Sequence, residues 1–476
     1  MPILASFMVP HPPLIVPDVG RGGEKQVETT IDSYQKVAKE ISALSPDTII
    51  ITSPHATLYS DYFHISPGKT AQGSFAAFRA PNVKFSETYD TELVEKISEI
   101  AKKENFRCGT LGEQEPELDH GTMVPLYFIE QEYKAFQLVR IGLSGFPLTD
   151  HYKLGMILSR AVNALDRKVV LVASGDLSHK LQDYGPYGFS KEGPEYDSRI
   201  MDVMGRAAFG ELFDFSEAFC DKAAECGHRS FVIMAGAWDG KNVRTNVFSH
   251  EDVTGVGYGI ISFYPDASSS ENAPERHFLQ LHLDSMEKSL SAQREASDIY
   301  VRLARLSLET YIRTGKKIDL PDDLSGLLKD GETVPEELLH SRAGAFVSIH
   351  KQGMLRGCIG TIGPTCKNLA LEIATNAISA STRDPRFDPI REEELPLLEI
   401  NVDVLGEAED IDSEEELDVK RYGVIVSTRD GRRGLLLPDL DGVDTVSEQV
   451  RIAMSKGGIQ KHEKYFLQRF EVIRHR

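Results

Sequence analysis

The stretch VVLVASGDLSH, residues 169–179, decides the fold. It opens as a short apolar run rich in β-branched residues, the mark of a buried strand. It closes in a polar turn that carries Asp176 and His179. The pattern recurs twice. MPILASF (residues 1–7) reads as a strand, and His11 follows in VPHPPL; TIIIT (48–52) reads as a strand, and His55 follows in SPHATL. Of the 14 histidines, these three share one placement. In open α/β sheets, sites form outside the carboxyl ends of strands. The three imidazoles are therefore expected to converge on one pocket.

Working outward, Val27, Ile31, Tyr34, Val37 and Ile41 recur at helical spacing between the first two strands. Residues 136–141 read as a strand and 152–165 as a helix; 196–215 and 226–238 read as helices, and 255–264 as a closing strand. The alternation predicts an α/β domain over residues 1–264, a mixed or parallel sheet flanked by helices. PDASSSENAPER (265–276) has little to bury and opens a linker expected over 265–284. Beyond it, 285–314 reads as one long amphipathic helical region. Residues 345–350, 354–359 and 398–405 read as strands, and 368–380 as a helix. The runs 424–428 and 434–437 flank Asp430-Gly431 as a hairpin. The second domain, 285–476, is thus expected to be α+β.

Composition narrows the classes. A chain of 476 residues exceeds one ordinary core. No apolar run reaches the roughly 20 residues that a membrane helix needs. The N-terminal stretch has no basic region and no small-residue cleavage site, so no secretory leader and a cytoplasmic setting are expected. The five cysteines, Cys108, Cys220, Cys226, Cys358 and Cys366, are scattered and odd in number, which argues against a disulfide framework. A formal net charge of −20 argues against nonspecific nucleic-acid or anionic-membrane binding.

His11 and His55 are the first metal-ligand candidates. Two imidazoles plus one carboxylate, with positions left open, suit Fe(II) chemistry with oxygen. Glu225, in AAECGHRS, is the expected carboxylate; Cys226 or His228 are alternatives, and a thiolate would tilt the site toward zinc or copper. His179 and His120 are the acid–base candidates, because imidazole titrates near neutral pH. Asp176 stands three residues before His179 and either orients it or binds metal. QDYGPYGF (182–189) reads either as an aromatic wall or lid, or as a mobile surface loop. In the second half, Cys358 lies between glycines in LRGCIGT. It reads as a nucleophile favoured by Arg356, or as a small residue in a packed hairpin. Arg383 opens RDPRF, either a polar cluster near Cys358 or a helix-ending turn.

VPHPPL, SPHATL, LDHGTMVPL and SGDLSH, in that order, resemble the class III extradiol dioxygenase family of LigB type and its Memo-like relatives. The resemblance implies non-haem Fe(II) held by His11, His55 and Glu225. It also implies cleavage of a catechol-like ring, or a related enediol, by O₂. His179 would then be the acid–base residue, and His120 would contact substrate or oxygen. Memo-like proteins carry a cysteine among their ligands where Cys226 falls, so the adjacent pair straddles both patterns. GAFVSIH, LRGCIGT and SASTRDPRF resemble the AMMECR domain, which implies a fold but no settled activity. The combination resembles a prokaryotic system that includes a radical-SAM protein, the implied partner. Two rivals stand beside the dioxygenase: a zinc hydrolase on the same scaffold, with metal-bound water as nucleophile, and a non-catalytic metal- or partner-binding protein.

Overall fold

Four runs rich in β-branched and apolar residues, Ile3–Val9, Thr48–Ser53, Gln137–Gly142 and Val169–Ser174, form the parallel part of a six-stranded sheet. A computed structural model describes residues 3–266, 273–320, 322–440 and 442–476. The sheet order is Gln137–Gly142, Thr48–Ser53, Val169–Ser174, Ile3–Val9, Tyr258–Pro265, Val243–Glu251, the last two antiparallel to their neighbours. Helices cover both faces, so the strands are buried on both sides. Phe7, Val9, Ile49, Ile51, Val170 and Val172 pack with Tyr34, Val37 and Ile41 of helix Glu28–Leu44 and with Leu126 and Ile129 of helix His120–Glu132. The alternate residues Met8, Ile50, Leu171 and Ala173 pack with Leu154, Ile157 and Leu158 of helix Leu148–Leu165 and with Phe231 and Val232 of helix His228–Gly236. The mixed α/β sheet is as the sequence implies.

The chain divides into two units, Met1–Leu283 and Asp284–Arg476. The second unit holds two antiparallel four-stranded sheets. One runs Met354–Gly360, Ala345–Lys351, Leu398–Leu405, Val472–His475; the other runs Glu409–Ile411, Phe466–Phe470, Gly423–Ser427, Arg433–Leu436. Helices Ile299–Thr314 and Leu369–Thr382 pack on the first sheet and Val446–Lys456 on the second. This is an α+β unit, as expected.

Several sequence expectations need correction. The helical region read over 285–314 is two helices, Phe278–Ala296 and Ile299–Thr314, because the Asp298 carboxylate accepts the N–H groups of Tyr300 and Val301 and starts a new helix. The helix read over 196–215 is Glu192–Gly205 followed by the tighter turn Phe209–Asp214. Of the predicted linker, residues 267–272 lie outside the described residues. Its later part is packed: Ala273 is buried, Pro274–Arg276 forms a 3₁₀ turn, and the Arg276 guanidinium donates to the Ala207 carbonyl at 2.8 Å. All five cysteines are free, and among the described residues no helix is long and apolar enough to cross a membrane.

Candidate metal centre

The sheet order sets Thr48–Ser53, Val169–Ser174 and Ile3–Val9 side by side and parallel, with Val9 level with Ser174 and Thr52 level with Ala173. Their outgoing turns therefore open on one edge. His11, His55 and Asp176 each stand two residues beyond a strand end. The Nε2 atoms of His11 and His55 are 3.0 Å apart. The His11 N–H donates to Asp176 Oδ1 at 2.7 Å, and its ring Nδ1 lies 2.9 Å from Ser174 Oγ. The buried Tyr34 hydroxyl donates to the Pro10 carbonyl, fixing the turn from beneath.

His120 begins helix His120–Glu132, and its ring centroid is 4.0 Å from that of His55 and 5.4 Å from that of His11. Asp119 caps this helix by accepting the Thr122 N–H at 3.0 Å. It also accepts Ser53 Oγ–H at 2.6 Å and pairs with Arg140, itself 2% exposed, at 2.6 Å. Burial pushes the Asp119 carboxyl up, but Arg140, Ser53 and Thr122 together hold it below its ordinary value. One buried ion pair thus anchors both the His120 helix and the strand end before His55.

The third candidate ligand atom beside the two imidazoles belongs to Cys226. Its Sγ is 3.6 Å from His11 Nε2, and one ligand atom from each of His11, His55 and Cys226 lies within 4.8 Å of the others. The Asp176 N–H donates to this sulfur at 3.3 Å. Backbone proximity makes the placement possible: a Cβ on Gly175 would fall 2.1 Å from Gly227 Cα, so only glycine lets the two loops meet this closely. Glu225, the expected carboxylate, is turned elsewhere. It accepts the His228 N–H at 2.6 Å ahead of helix His228–Gly236, and burial pushes it up to about 7. His228 is also engaged, with Nε2 3.0 Å from the Leu212 carbonyl and Nδ1 3.3 Å from the Tyr196 hydroxyl. Of the three candidates read from the sequence, the geometry brings Cys226 to the two imidazoles and leaves Glu225 and His228 engaged elsewhere.

Asp176, His179 and Cys226 form a second close group that shares the same sulfur. His179 Nε2 is 3.9 Å from Asp176 Oδ2, beyond a hydrogen bond, and its ring stacks on Tyr187 with centroids 5.1 Å apart. Tyr184, Tyr187 and Phe189 of this loop are all exposed, and Tyr187 is the one whose ring stacks on a residue of the site. Burial, then the neighbouring His55, brings His11 down to about 3; burial, then His55 and His11, does the same for His120. Burial also lowers His179 and raises Asp176. Neutral imidazoles are what a cation needs as ligands. With metal–nitrogen bonds of about 2.1 Å and metal–sulfur bonds of about 2.3 Å, ligand atoms of one coordination sphere sit about 3.0–3.6 Å apart. The observed His11–His55 and His11–Cys226 separations match, so the residues fit a bound cation.

For the second-unit candidates the structure favours one of the alternatives read from the sequence. The Arg356 guanidinium is held by the Glu394 carboxylate at 3.0 Å and the Asp388 carbonyl at 2.8 Å, so it does not serve the thiol. Cys358 Sγ lies 3.3 Å from Ser348 Oγ, and burial pushes its thiol up, which favours the packed hairpin. Arg383 is exposed where helix Leu369–Thr382 ends. The polar cluster does form, through Asp384, which accepts the Cys358 N–H at 2.8 Å and pairs with Arg386 at 2.6 Å. Sequence reasoning missed Ser174, Ser53 and the Asp119–Arg140 pair. Ser53 and Ser174 each stand as the last residue of a wholly buried strand, which is the signal that would have found these two serines.

Residues 5–261, more than half the chain, match the family described as the catalytic LigB subunit of aromatic ring-opening dioxygenase. The chain belongs to that family. Residues 301–475 match the AMMECR1 family, so this LigB-type protein carries an AMMECR1 region in the same chain. A protein of Clostridium acetobutylicum is 39% identical over 484 residues, covering all of both chains. A protein of Thermotoga maritima is 51% identical over 179 residues, 37% of this chain and 97% of its own. The 2-aminophenol 1,6-dioxygenase beta subunit of a Pseudomonas species is 25% identical over 290 residues, 55% of this LigB-type chain and 93% of that one.

Proposed function

We propose that this LigB-type protein is a metal-dependent oxidoreductase that brings O₂ to an aromatic ring bearing adjacent hydroxyl groups, or a hydroxyl beside an amino group. The observation that carries the reading is the convergence of His11, His55 and Cys226 at the strand ends, beside His179. The family match and the aminophenol-cleaving relative support the substrate class. His11 Nε2, His55 Nε2 and Cys226 Sγ would hold the cation; the O₂ chemistry proposed calls for a redox metal, iron, whereas the thiol taken alone tilts the set toward zinc or copper. Bound there, the metal supplies Lewis acidity toward the substrate hydroxyl and electron exchange with O₂.

The protein's own groups do the rest. His179, kept neutral by burial, accepts the substrate hydroxyl proton at Nε2. Asp176 fixes the His11 backbone and faces His179 with its second oxygen. His120, packed against Phe78 with centroids 5.3 Å apart, lines the far wall. Tyr187 stacks on His179 at the mouth and limits water.

The test is metal analysis of anaerobically purified protein, followed by O₂ consumption with catechol and 2-aminophenol. Bound iron with O₂ uptake, and loss of uptake but not of iron in His179→Ala, is the expected result. Protein without metal, or with zinc and no uptake, contradicts it. A second reading is a metal-binding protein that acts through a partner, such as a radical-SAM protein. The specific observation in its favour is the thiol standing where a carboxylate was expected. Metal retention, no turnover with either substrate, and partner binding that survives His179→Ala would favour it.

A further inference from the structure

The hydroxyl of Ser174 sits between two groups. Its Oγ is 2.6 Å from the Gly121 carbonyl oxygen and 2.9 Å from His11 Nδ1, and Ser174, His11 and Gly121 are all buried. A carbonyl oxygen only accepts, so at that distance the serine must donate its single proton to Gly121. Having donated it, Oγ can only accept from the imidazole. His11 Nδ1 is then the protonated nitrogen, and Nε2 is left with a bare lone pair. That lone pair faces His55 Nε2 at 3.0 Å and Cys226 Sγ at 3.6 Å.

We propose that Ser174 is a positioning residue that sets His11 in the Nδ1–H tautomer and aims its Nε2 lone pair into the metal centre. The proposal rests on the reading of His11 as a ligand. The partner on the far nitrogen fixes which nitrogen of a histidine can bind metal. The acceptor is held in place as well. A Cβ on Gly121 would lie 2.3 Å from Ser53 Oγ, so the first turn of helix His120–Glu132 is pressed against the end of strand Thr48–Ser53. Gly121 directly follows His120, so one hydroxyl ties the His120 turn to the His11 ring.

The experiment uses the full chain with ¹⁵N-labelled histidine, with the His11 signals assigned by their loss in His11→Asn. In metal-free wild type, His11 is expected to show a pyrrole-type Nδ1 and a pyridine-type Nε2. The reverse assignment overturns the proposal and needs no serine variant. Cobalt(II) titration is the second readout. Ser174→Ala is expected to bind cobalt(II) about 10–100-fold more weakly, the usual cost of losing an outer-sphere partner. It is also expected to show a mixed His11 tautomer, and Ser174→Thr, which keeps the hydroxyl, is expected to recover both. Equal cobalt(II) affinity in wild type and Ser174→Ala overturns the positioning role while the ligand reading stands. No cobalt(II) binding by wild type overturns the ligand reading, and the proposal with it.

Discussion

Cys226 Sγ stands 3.6 Å from His11 Nε2, while the carboxylate of Glu225, one residue away in sequence, is spent on the His228 N–H. Adjacent residues therefore have opposite duties. Replacing Cys226 with serine is expected to weaken zinc or cobalt binding by more than the roughly 10–100-fold that losing an outer-sphere partner costs. Glu225→Gln keeps a hydrogen-bond acceptor for the helix start and is expected to leave affinity unchanged. Competition with a coloured chelator measures both, and the opposite ranking would reassign the third ligand.

The Asp119–Arg140 pair is buried and holds two elements of the centre together. Truncating Arg140 to alanine leaves a buried carboxylate without its cation, which costs about 3–5 kcal/mol. Chemical denaturation followed by the fluorescence of Trp238, which is buried in the first unit, checks this. A loss below about 1 kcal/mol would show that the pair is dispensable.

Tyr187 is 59% exposed yet stacks on His179. Ring pairs contribute about 0.5–1.5 kcal/mol, so Tyr187→Ala is expected to lower O₂ uptake roughly 3–10-fold. Metal content should not change, because Tyr187 belongs to neither ligand group. Metal loss in this variant would instead place the loop in the coordination sphere.

The second unit should be acid-sensitive. Hydrogen bonds from the Arg386 guanidinium hold Asp384 down at about 2, against an ordinary value of 3.8. Burial pushes Glu394 up, but Arg356 and Lys351 outweigh it and bring it to about 2, against 4.5. Both folded values lie below the unfolded ones. The stability they contribute is therefore present above about pH 4.5 and lost as pH falls through about 2. Protection factors of the Ala345–Lys351 and Met354–Gly360 strands, which divide out the pH dependence of intrinsic amide exchange, are expected to fall as the pH drops from 5 to 2. Asp384→Asn and Glu394→Gln should flatten the dependence.

Much of the first unit was legible because its signals are local. A β-branched run followed by a polar turn gives a strand and its functional end, as at 48–55 and 169–179. The choice between Glu225 and Cys226 was not legible, because it depends on where Gly175 meets Gly227, a contact between loops about 50 residues apart. The edge strand Val243–Glu251 also escaped, because Ser249 alone among its residues is fully buried and no apolar run marks it. Residues 265–276 offered almost nothing to bury, yet Arg276 donates to the Ala207 carbonyl, and just beyond them Phe278 meets Phe209 edge-on at 6.3 Å. In the second unit, Arg356 stood near Cys358 in sequence, but Glu394, distant in sequence, captures it.

X-ray absorption at the metal edge of the iron-loaded protein tests the centre most directly. A shell with one sulfur at about 2.3 Å and two imidazole nitrogens at about 2.1 Å is the predicted result, with the sulfur lost in Cys226→Ser. A shell of nitrogen and oxygen alone, unchanged in that variant, would contradict the assignment of His11, His55 and Cys226 as the ligand set.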